Sequence, residues 1–128
     1  MQRFTFKKEE RLCSKTSIDE LFTEGKSLFV YPFKLLFTLD TTNQNTSSPV
    51  QVLFSVPKRS IKHAVKRNQI RRRAKEAYRL NKNSFIEQLG EKNIQLQLIF
   101  IYIEKEAKDY KTIEKGIKKA LNKLIGVI

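Results

Sequence analysis

Ten cations crowd the stretch from Lys58 to Arg79 (Lys58, Arg59, Lys62, Lys66, Arg67, Arg71, Arg72, Arg73, Lys75 and Arg79) against a single acid, Glu76. A guanidinium is a rigid fork of donors that matches two oxygens of a phosphate, whereas an ammonium attracts as a point charge. The chemistry open to such a run is recognition of a polyanion. On a helical wheel Ile70, Ala74, Ala77 and Tyr78 fall within an arc of roughly 100°. Arg67, Asn68, Arg71, Arg72, Lys75 and Arg79 spread over the adjoining arc of roughly 140°. One side can pack and the other is a cationic ridge. A merely solvated helix gains from mixing signs, but here Arg67, Arg71 and Lys75 stack like charges at i,i+4, at a cost in stability until a partner neutralises them. Asn68, inside the ridge, can hydrogen-bond a sugar or a base edge.

Bond-making chemistry has few candidates. One cysteine, Cys13, excludes an intramolecular disulfide and suits a reducing compartment. With His63 as the one histidine, a zinc site of the usual kind is also excluded. His63 lies among cations and reads as a solvated helix residue. No Gly-rich phosphate loop, nucleophile motif or acid pair typical of a metal-dependent nuclease is visible. Any reaction this chain takes part in belongs to its partner.

A net charge of +13 and a pI near 10.0 call for that partner to be nucleic acid or an anionic membrane. No apolar run approaches the roughly 20 residues of a membrane span, and the start MQRFTFKKEE has no signal-peptide core. Cytoplasmic nucleic-acid binding is the expectation. Of the nine phenylalanines most belong in a core. Some of Phe22, Phe33, Phe37 and Phe54 could instead line a groove where unpaired bases stack.

The elements that must position these residues follow from periodicity. Residues 1–16 read as a basic, partly extended arm. Ser17 and Glu20 form a capping box that predicts a helix over 17–24, with Ile18, Leu21 and Phe22 on one stripe and Gly25 as its stop. Leu28–Tyr31 is a short strand closed by Pro32. Phe33–Leu39 is a second strand, with Phe33, Leu35, Phe37 and Leu39 sharing a face. The polar segment 40–49 reads as a long hairpin loop leading to a third strand, Val50–Val56, which Pro57 ends. The basic helix then starts with Ser60 as N-cap and fades near Asn81-Lys82-Asn83, and Phe85–Leu89 form a turn or a continuation before Gly90. Ile94–Ile103 is apolar on both faces in its second half, which suits a central strand. Tyr110, Ile113, Ile117, Ala120, Leu121 and Leu124 mark a last helix, slightly weakened by Gly116. The sum is one domain over 1–128, a small α/β sandwich with strands on a short connection antiparallel and a mixed sheet plausible from the strand–helix–strand unit.

Phe54-Ser55-Val56-Pro57-Lys58-Arg59, followed by Ala64-Val65-Lys66-Arg67-Asn68-Gln69-Ile70-Arg71-Arg72, resembles the protein subunit of bacterial ribonuclease P. That family carries a strand ending in a basic pair, then a helix with an Arg-Asn-Arg core, a second basic pair and a further cation. Arg67 and Asn68 match the first two core positions, Arg71 and Arg72 the pair, and Lys75 the further cation. Gln69 stands where the third core position is commonly arginine. Arg11-Leu12, Ile18, Phe22, Gly25 and Phe37-Thr38-Leu39-Asp40 follow in the family's order.

The resemblance implies an α/β (α+β) two-layer sandwich in the order αβββαβα, with a mixed four-stranded sheet and an unusual left-handed βαβ crossover. General rules alone would favour the right-handed form. It also implies a ribonucleoprotein endoribonuclease, a hydrolase that produces mature tRNA 5′ ends. Its chemistry lies in the catalytic RNA and in Mg2+ bound mainly by that RNA, with none bound by the protein alone. The implied partners are the catalytic RNA and precursor tRNA, without a membrane or a further protein. Arg67, Asn68, Arg71, Arg72 and Lys75 would meet the catalytic RNA, with Lys58 and Arg59 at the groove's edge. Ile18, Phe22, Phe37 and Ser55 would line a cleft for the single-stranded 5′ leader, Ile18 giving apolar contact where an aromatic is common. A stand-alone ribosomal or assembly RNA-binding protein would explain the charge equally well, but not the matched cleft positions.

Overall fold

The computed structural model describes residues 15–40, 50–91 and 95–127. Its elements are α1 (Lys15–Glu24), β1 (Lys26–Val30), β2 (Phe33–Asp40), β3 (Val50–Ser55), α2 (Ala64–Glu91), β4 (Gln95–Tyr102) and α3 (Tyr110–Val127). The order αβββαβα is therefore as expected. The strands form one mixed sheet, β1-β2-β4-β3, in which β1/β2 and β2/β4 are antiparallel and β3/β4 parallel.

β4 takes a central place because both of its faces are apolar. Leu96, Leu98, Phe100 and Tyr102 join the main core with Phe33, Leu35, Phe37, Val52 and Phe54, under α2 and α3. Ile99 and Ile101 point the other way and, with Leu36, receive Leu21 of α1. Burying each such side chain contributes roughly 1.5–3 kcal/mol, so an edge position for this strand would forfeit much of the core. In the main core Phe54 stacks on Phe100, with centroids 5.2 Å apart, and meets Tyr78 of α2 edge-on at 5.9 Å.

Four expectations are corrected. The two-layer description covers only the main core, because α1 lies on the opposite face of the sheet from α2 and α3. The polar segment 40–49 does not close a hairpin, since β4 inserts between β2 and β3. The basic arm over 1–16 and that polar segment lie outside the described residues except for Lys15, Thr16 and Asp40. Ser17 is inside α1, which begins at Lys15, so it is not an N-cap.

The fourth correction concerns both ends of the basic helix. Ser60 is in a turn instead, its N–H bonded to the Pro57 carbonyl and its hydroxyl donating to the Tyr102 carbonyl at 3.1 Å. The cap position falls to His63, whose carbonyl accepts the Arg67 N–H at 3.0 Å. At the far end α2 runs unbroken for 28 residues. Asn81 does not interrupt it because its amide donates back to the Ala77 carbonyl at 2.7 Å. Tyr78, Lys82, Phe85 and Leu89 extend the buried stripe at helical spacing, so tertiary packing overrides weak local propensity.

Two glycines act through close approach. Gly25 ends α1 as expected, but without a positive φ; a Cβ there would come 2.4 Å from the Leu21 carbonyl oxygen. Gly116 lets α3 approach the β1–β2 turn, where a Cβ would lie 2.7 Å from both Pro32 Cδ and the Tyr31 oxygen. Gly116→Ala should therefore destabilise by about 1–3 kcal/mol despite its better helix propensity. Gly90→Ala, with nothing within 4 Å, should stabilise by about 0.5–1 kcal/mol. Urea denaturation midpoints of the two variants check the contrast, and equal shifts of one sign would refute it.

Candidate nucleic-acid interface

Burial of Ile70, Ala74, Ala77 and Tyr78 fixes which side of α2 meets solvent. Asn68, Arg72 and Lys75 are exposed, with Arg67 and Arg71 half-buried beside them. The ridge expected from the sequence is thus assembled, but its cations are not equivalent. Arg67 Nη1 donates to the carbonyls of Ile61 and Lys62 at 3.1 and 2.7 Å, stapling the 57–63 segment onto the start of the helix. Arg71 Nη1 donates to Asn68 Oδ1 at 2.7 Å, so the acceptor of Asn68 is already engaged. Arg73 points away from the ridge and donates to the Lys108 carbonyl at 2.7 Å.

Arg79 pairs with Glu76, the one acid of the run. That hydrogen bond holds the Glu76 carboxyl below its usual range and raises the Arg79 guanidinium. The acid is thereby neutralised locally. Arg72 and Lys75 make no hydrogen bond or ion pair among the described residues, and their charge is available to a partner.

A basin of about 520 Å³ opens where β3 gives way to α2, lined by Lys58, Arg59, Lys62, His63, Lys66 and Lys105 among others. Lys105 was not singled out from sequence: an isolated lysine after a strand carries no local signal. Its Nζ donates to the Arg59 carbonyl at 3.1 Å, bridging the two walls. The segment that carries it is fixed by Tyr102, whose hydroxyl donates to the Glu106 carbonyl and accepts from the Lys108 N–H at 3.0 Å. Burial pushes the Tyr102 phenol up, keeping that donor protonated.

The second surface lies on the α1 side of the sheet. Leu21 faces the strands directly, and Ile18 and Phe22 follow on one flank of α1, roughly 60° and 100° round the helix. Ile18 and Leu53 both pack against the small apolar cluster, on the α1 face of the sheet. Ser55, Leu53 and Gln51 are half-buried on β3, and Gln51 faces Gln97 of β4 across 3.5 Å. Phe22, on the same flank of α1 as Ile18, is 56% exposed, and the half-covered strip of β3 forms a shallow groove on this side of the sheet.

Phe37 does not join them. It is 4% exposed, belongs to the main core and stands opposite Leu98 in the β2/β4 register. The reason is strand parity: Leu36 faces α1, so Phe37 must face away, and Thr38 is the next β2 residue on the groove side. The structure therefore sets Ile18 and Ser55 on the α1 side of the sheet and leaves Phe37 on the opposite face. Lys58 and Arg59 lie three and four residues beyond Ser55, past the end of β3, where the basin begins.

No helix among the described residues is long and apolar enough to cross a membrane. No group of three His, Cys, Asp or Glu residues that could hold a metal ion occurs among them.

The ribonuclease P family model matches residues 6–125. The ribonuclease P protein component of Porphyromonas gingivalis is 35% identical over 123 residues, spanning 96% of this chain and 88% of that one. The corresponding component of Petrotoga mobilis is 31% identical over 126 residues, with 98% and 96% covered. In fold the chain is similar to the RNase P protein of Staphylococcus aureus, with a TM-score of 0.68, 18% identity and 90% and 94% of the chains covered. The RNase P protein from Thermotoga maritima gives 0.66 at 24% identity, with 89% and 96% covered.

The division of labour along α2 is measurable as stability. Arg67→Gln, which removes the staple of the 57–63 segment, should cost about 1–2 kcal/mol. Arg72→Gln and Lys75→Gln should stay within about 0.5 kcal/mol of the parent, since neither side chain holds the fold. Denaturant unfolding of the three variants tests this, and an Arg72 loss equal to that of Arg67 would contradict the assignment.

Proposed function

The chain belongs to the bacterial ribonuclease P protein family, and on that premise we propose that its ridge and its groove hold two different RNAs. It is the protein component of ribonuclease P, an RNA-catalysed endoribonuclease, and aids processing of the 5′ end of precursor tRNA. The ridge of Arg67, Asn68, Arg71, Arg72 and Lys75 lies against the catalytic RNA. Within it Arg72 and Lys75 neutralise phosphates directly, while Arg67 and the Arg71–Asn68 pair hold the shape of the contact surface. The groove of Ile18, Phe22 and Ser55 takes the single-stranded leader, with Phe22 as the stacking surface and the Gln51–Gln97 pair as a polar floor.

Lys58 and Arg59, joined by Lys62, Lys66 and Lys105, supply the charge along the leader's backbone as it leaves the groove. Phe37 supports the sheet from below and does not touch RNA. Magnesium is held mainly by the RNA, and no residue of this chain is given a metal-binding role. The protein's contribution is affinity and register: it binds the leader and the catalytic RNA at once, converting a bimolecular encounter into a positioned one. The reading extends to one cytoplasmic RNA-binding domain over 1–128 and to the family's left-handed β3–α2–β4 crossover. What supports it is an exposed phenylalanine, Phe22, on α1, exposed Arg72 and Lys75 on α2 without an internal partner among the described residues, and a basin of lysines where β3 gives way to α2.

Reconstitution with the cognate catalytic RNA tests the proposal. Cleavage of precursor tRNA at low magnesium should rise on adding the protein. Replacing Arg72 and Lys75 together by Gln should reduce the salt slope of log affinity for the RNA by about 1.5 to 2. Phe22→Ala should weaken binding of leader-bearing precursor by roughly 5- to 100-fold and leave mature tRNA unaffected. A leader crosslink should map to Phe22 or Ser55 and not to Phe37. Unchanged cleavage with and without protein would refute the first claim, and equal losses for precursor and mature tRNA would refute the groove.

A further inference from the structure

Beside the ridge, between α2 and the first turn of α3, lies a second hollow of about 390 Å³ lined by Gln69, Arg72, Arg73, Glu76 and Tyr110. Most of its polar ends are already committed. Arg73 donates to the Lys108 carbonyl, Glu76 accepts from Arg79, and the Tyr110 hydroxyl donates to Glu114 Oε2 at 3.0 Å. Burial and that hydrogen bond push the Tyr110 phenol up to about 12, so the ring stays neutral at any ordinary pH. Two groups have no such commitment among the described residues: the amide of half-buried Gln69 and the guanidinium of exposed Arg72.

The lining is wrong for a bare phosphate and right for a base. A carboxylate, Glu76, stands in the wall, and two of the nearby guanidiniums are engaged elsewhere. A free amide offers one acceptor and two donor hydrogens, the complement of the N6/N7 edge of adenine. A half-buried tyrosine ring fixed at its hydroxyl is a platform for an unstacked base, and Arg72 at the rim can take the phosphate of the same nucleotide.

We infer that Gln69, Tyr110 and Arg72 form a nucleobase site that receives an unpaired adenosine of the catalytic RNA. The inference rests on the ribonuclease P reading above and gives the third core position of the motif a different chemistry from its neighbours: Gln69 reads a base edge and neutralises no phosphate. The site spans two helices, so it also makes the start of α3 part of the RNA surface.

The test compares full-length parent, Gln69→Ala and Gln69→Arg proteins on pools of the cognate catalytic RNA carrying 7-deaza-adenosine or purine riboside at random adenosine positions. Gln69 is half-exposed on a helix, so neither change threatens the fold. With the parent protein, substitution at one or a few adenosines should deplete those molecules from the bound fraction. With Gln69→Ala that depletion should vanish and affinity for unmodified RNA should fall about tenfold at an unchanged salt slope. With Gln69→Arg the depletion should also vanish while the salt slope steepens by about 1.

The same depletion pattern in parent and Gln69→Ala overturns the inference. So does a salt slope that falls when Gln69 is replaced by Ala. Arg72→Gln and Lys75→Gln, measured alongside, separate the two levels. If they lower the slope while the depletion pattern ignores Gln69, the base site alone is refuted. If neither affects binding, the ridge falls and the base site with it.

Discussion

Everything in this fold depends on one strand being buried on both sides. β4 carries Leu96, Leu98, Phe100 and Tyr102 on one face and Ile99 and Ile101 on the other. A strand of that composition cannot be left at an edge, and placing it centrally forces β2 and β3 to its two sides. β3 then becomes an edge strand whose α1-side residues, Gln51, Leu53 and Ser55, are only half-covered. The short α1 reaches across β2 and β4 but leaves β3 partly bare, and the bare strip is the groove. The parallel pairing of β3 with β4 requires a crossover, and that crossover is the basic helix. Groove and ridge are thus both consequences of where one strand, apolar on both faces, must lie.

Charge is the opposing constraint. A net +13 on a chain of 128 residues disfavours compactness, and the like-charged rows of α2 add to that cost. The structure relieves part of it internally, with backbone carbonyls of Ile61, Lys62 and Lys108 accepting from Arg67 and Arg73 and with Glu76 pairing to Arg79. Such exposed pairs stabilise little. What they do is fix guanidiniums in place, giving Arg72 and Lys75 a rigid setting from which to meet a phosphate. Arginine therefore serves two purposes in one helix, and composition alone does not separate them.

The strands and the apolar stripes were legible because burial imposes a period: 2 on β2 and β3, 3.6 on α2 and α3. The family pattern likewise made Arg67, Asn68, Arg71, Arg72 and Lys75 legible as one ridge. Four things were not. Strand order was hidden, since nothing local tells that β4 separates β2 from β3, and the polar segment looked like a hairpin in consequence. Helix boundaries were hidden because tertiary contacts decided them: Ser60 bonds β4 instead of capping, and Phe85 and Leu89 carry α2 through Asn81 and Asn83. Phe37 was misplaced by trusting a motif position over parity. Its alternation with Leu36 was visible, but which of the two faces α1 was not, because that depends on which helix covers each side of the sheet and the Lys34, Leu36, Thr38 face is mixed. Lys105 and Tyr110 were missed for a related reason: their partners are distant in sequence.

Folding and recognition use different residues here, and this explains why the site is harder to read than the fold. A phenylalanine that is more than half exposed contributes little to the core, and an arginine with no internal partner contributes nothing to the fold. At about 25 cal/mol per Å² of apolar area, Phe22 holds its free energy for whatever covers it. Arg72 and Lys75 do the same for whatever supplies an anion. Periodicity gives the side of a helix on which such residues stand, but not which of them the fold leaves unsatisfied. Gln69 is the clearest case. In the motif it is a mismatch, a neutral side chain in a cationic position. In three dimensions it is a free amide beside a fixed aromatic ring, and the departure from the pattern becomes a reason to expect a different contact.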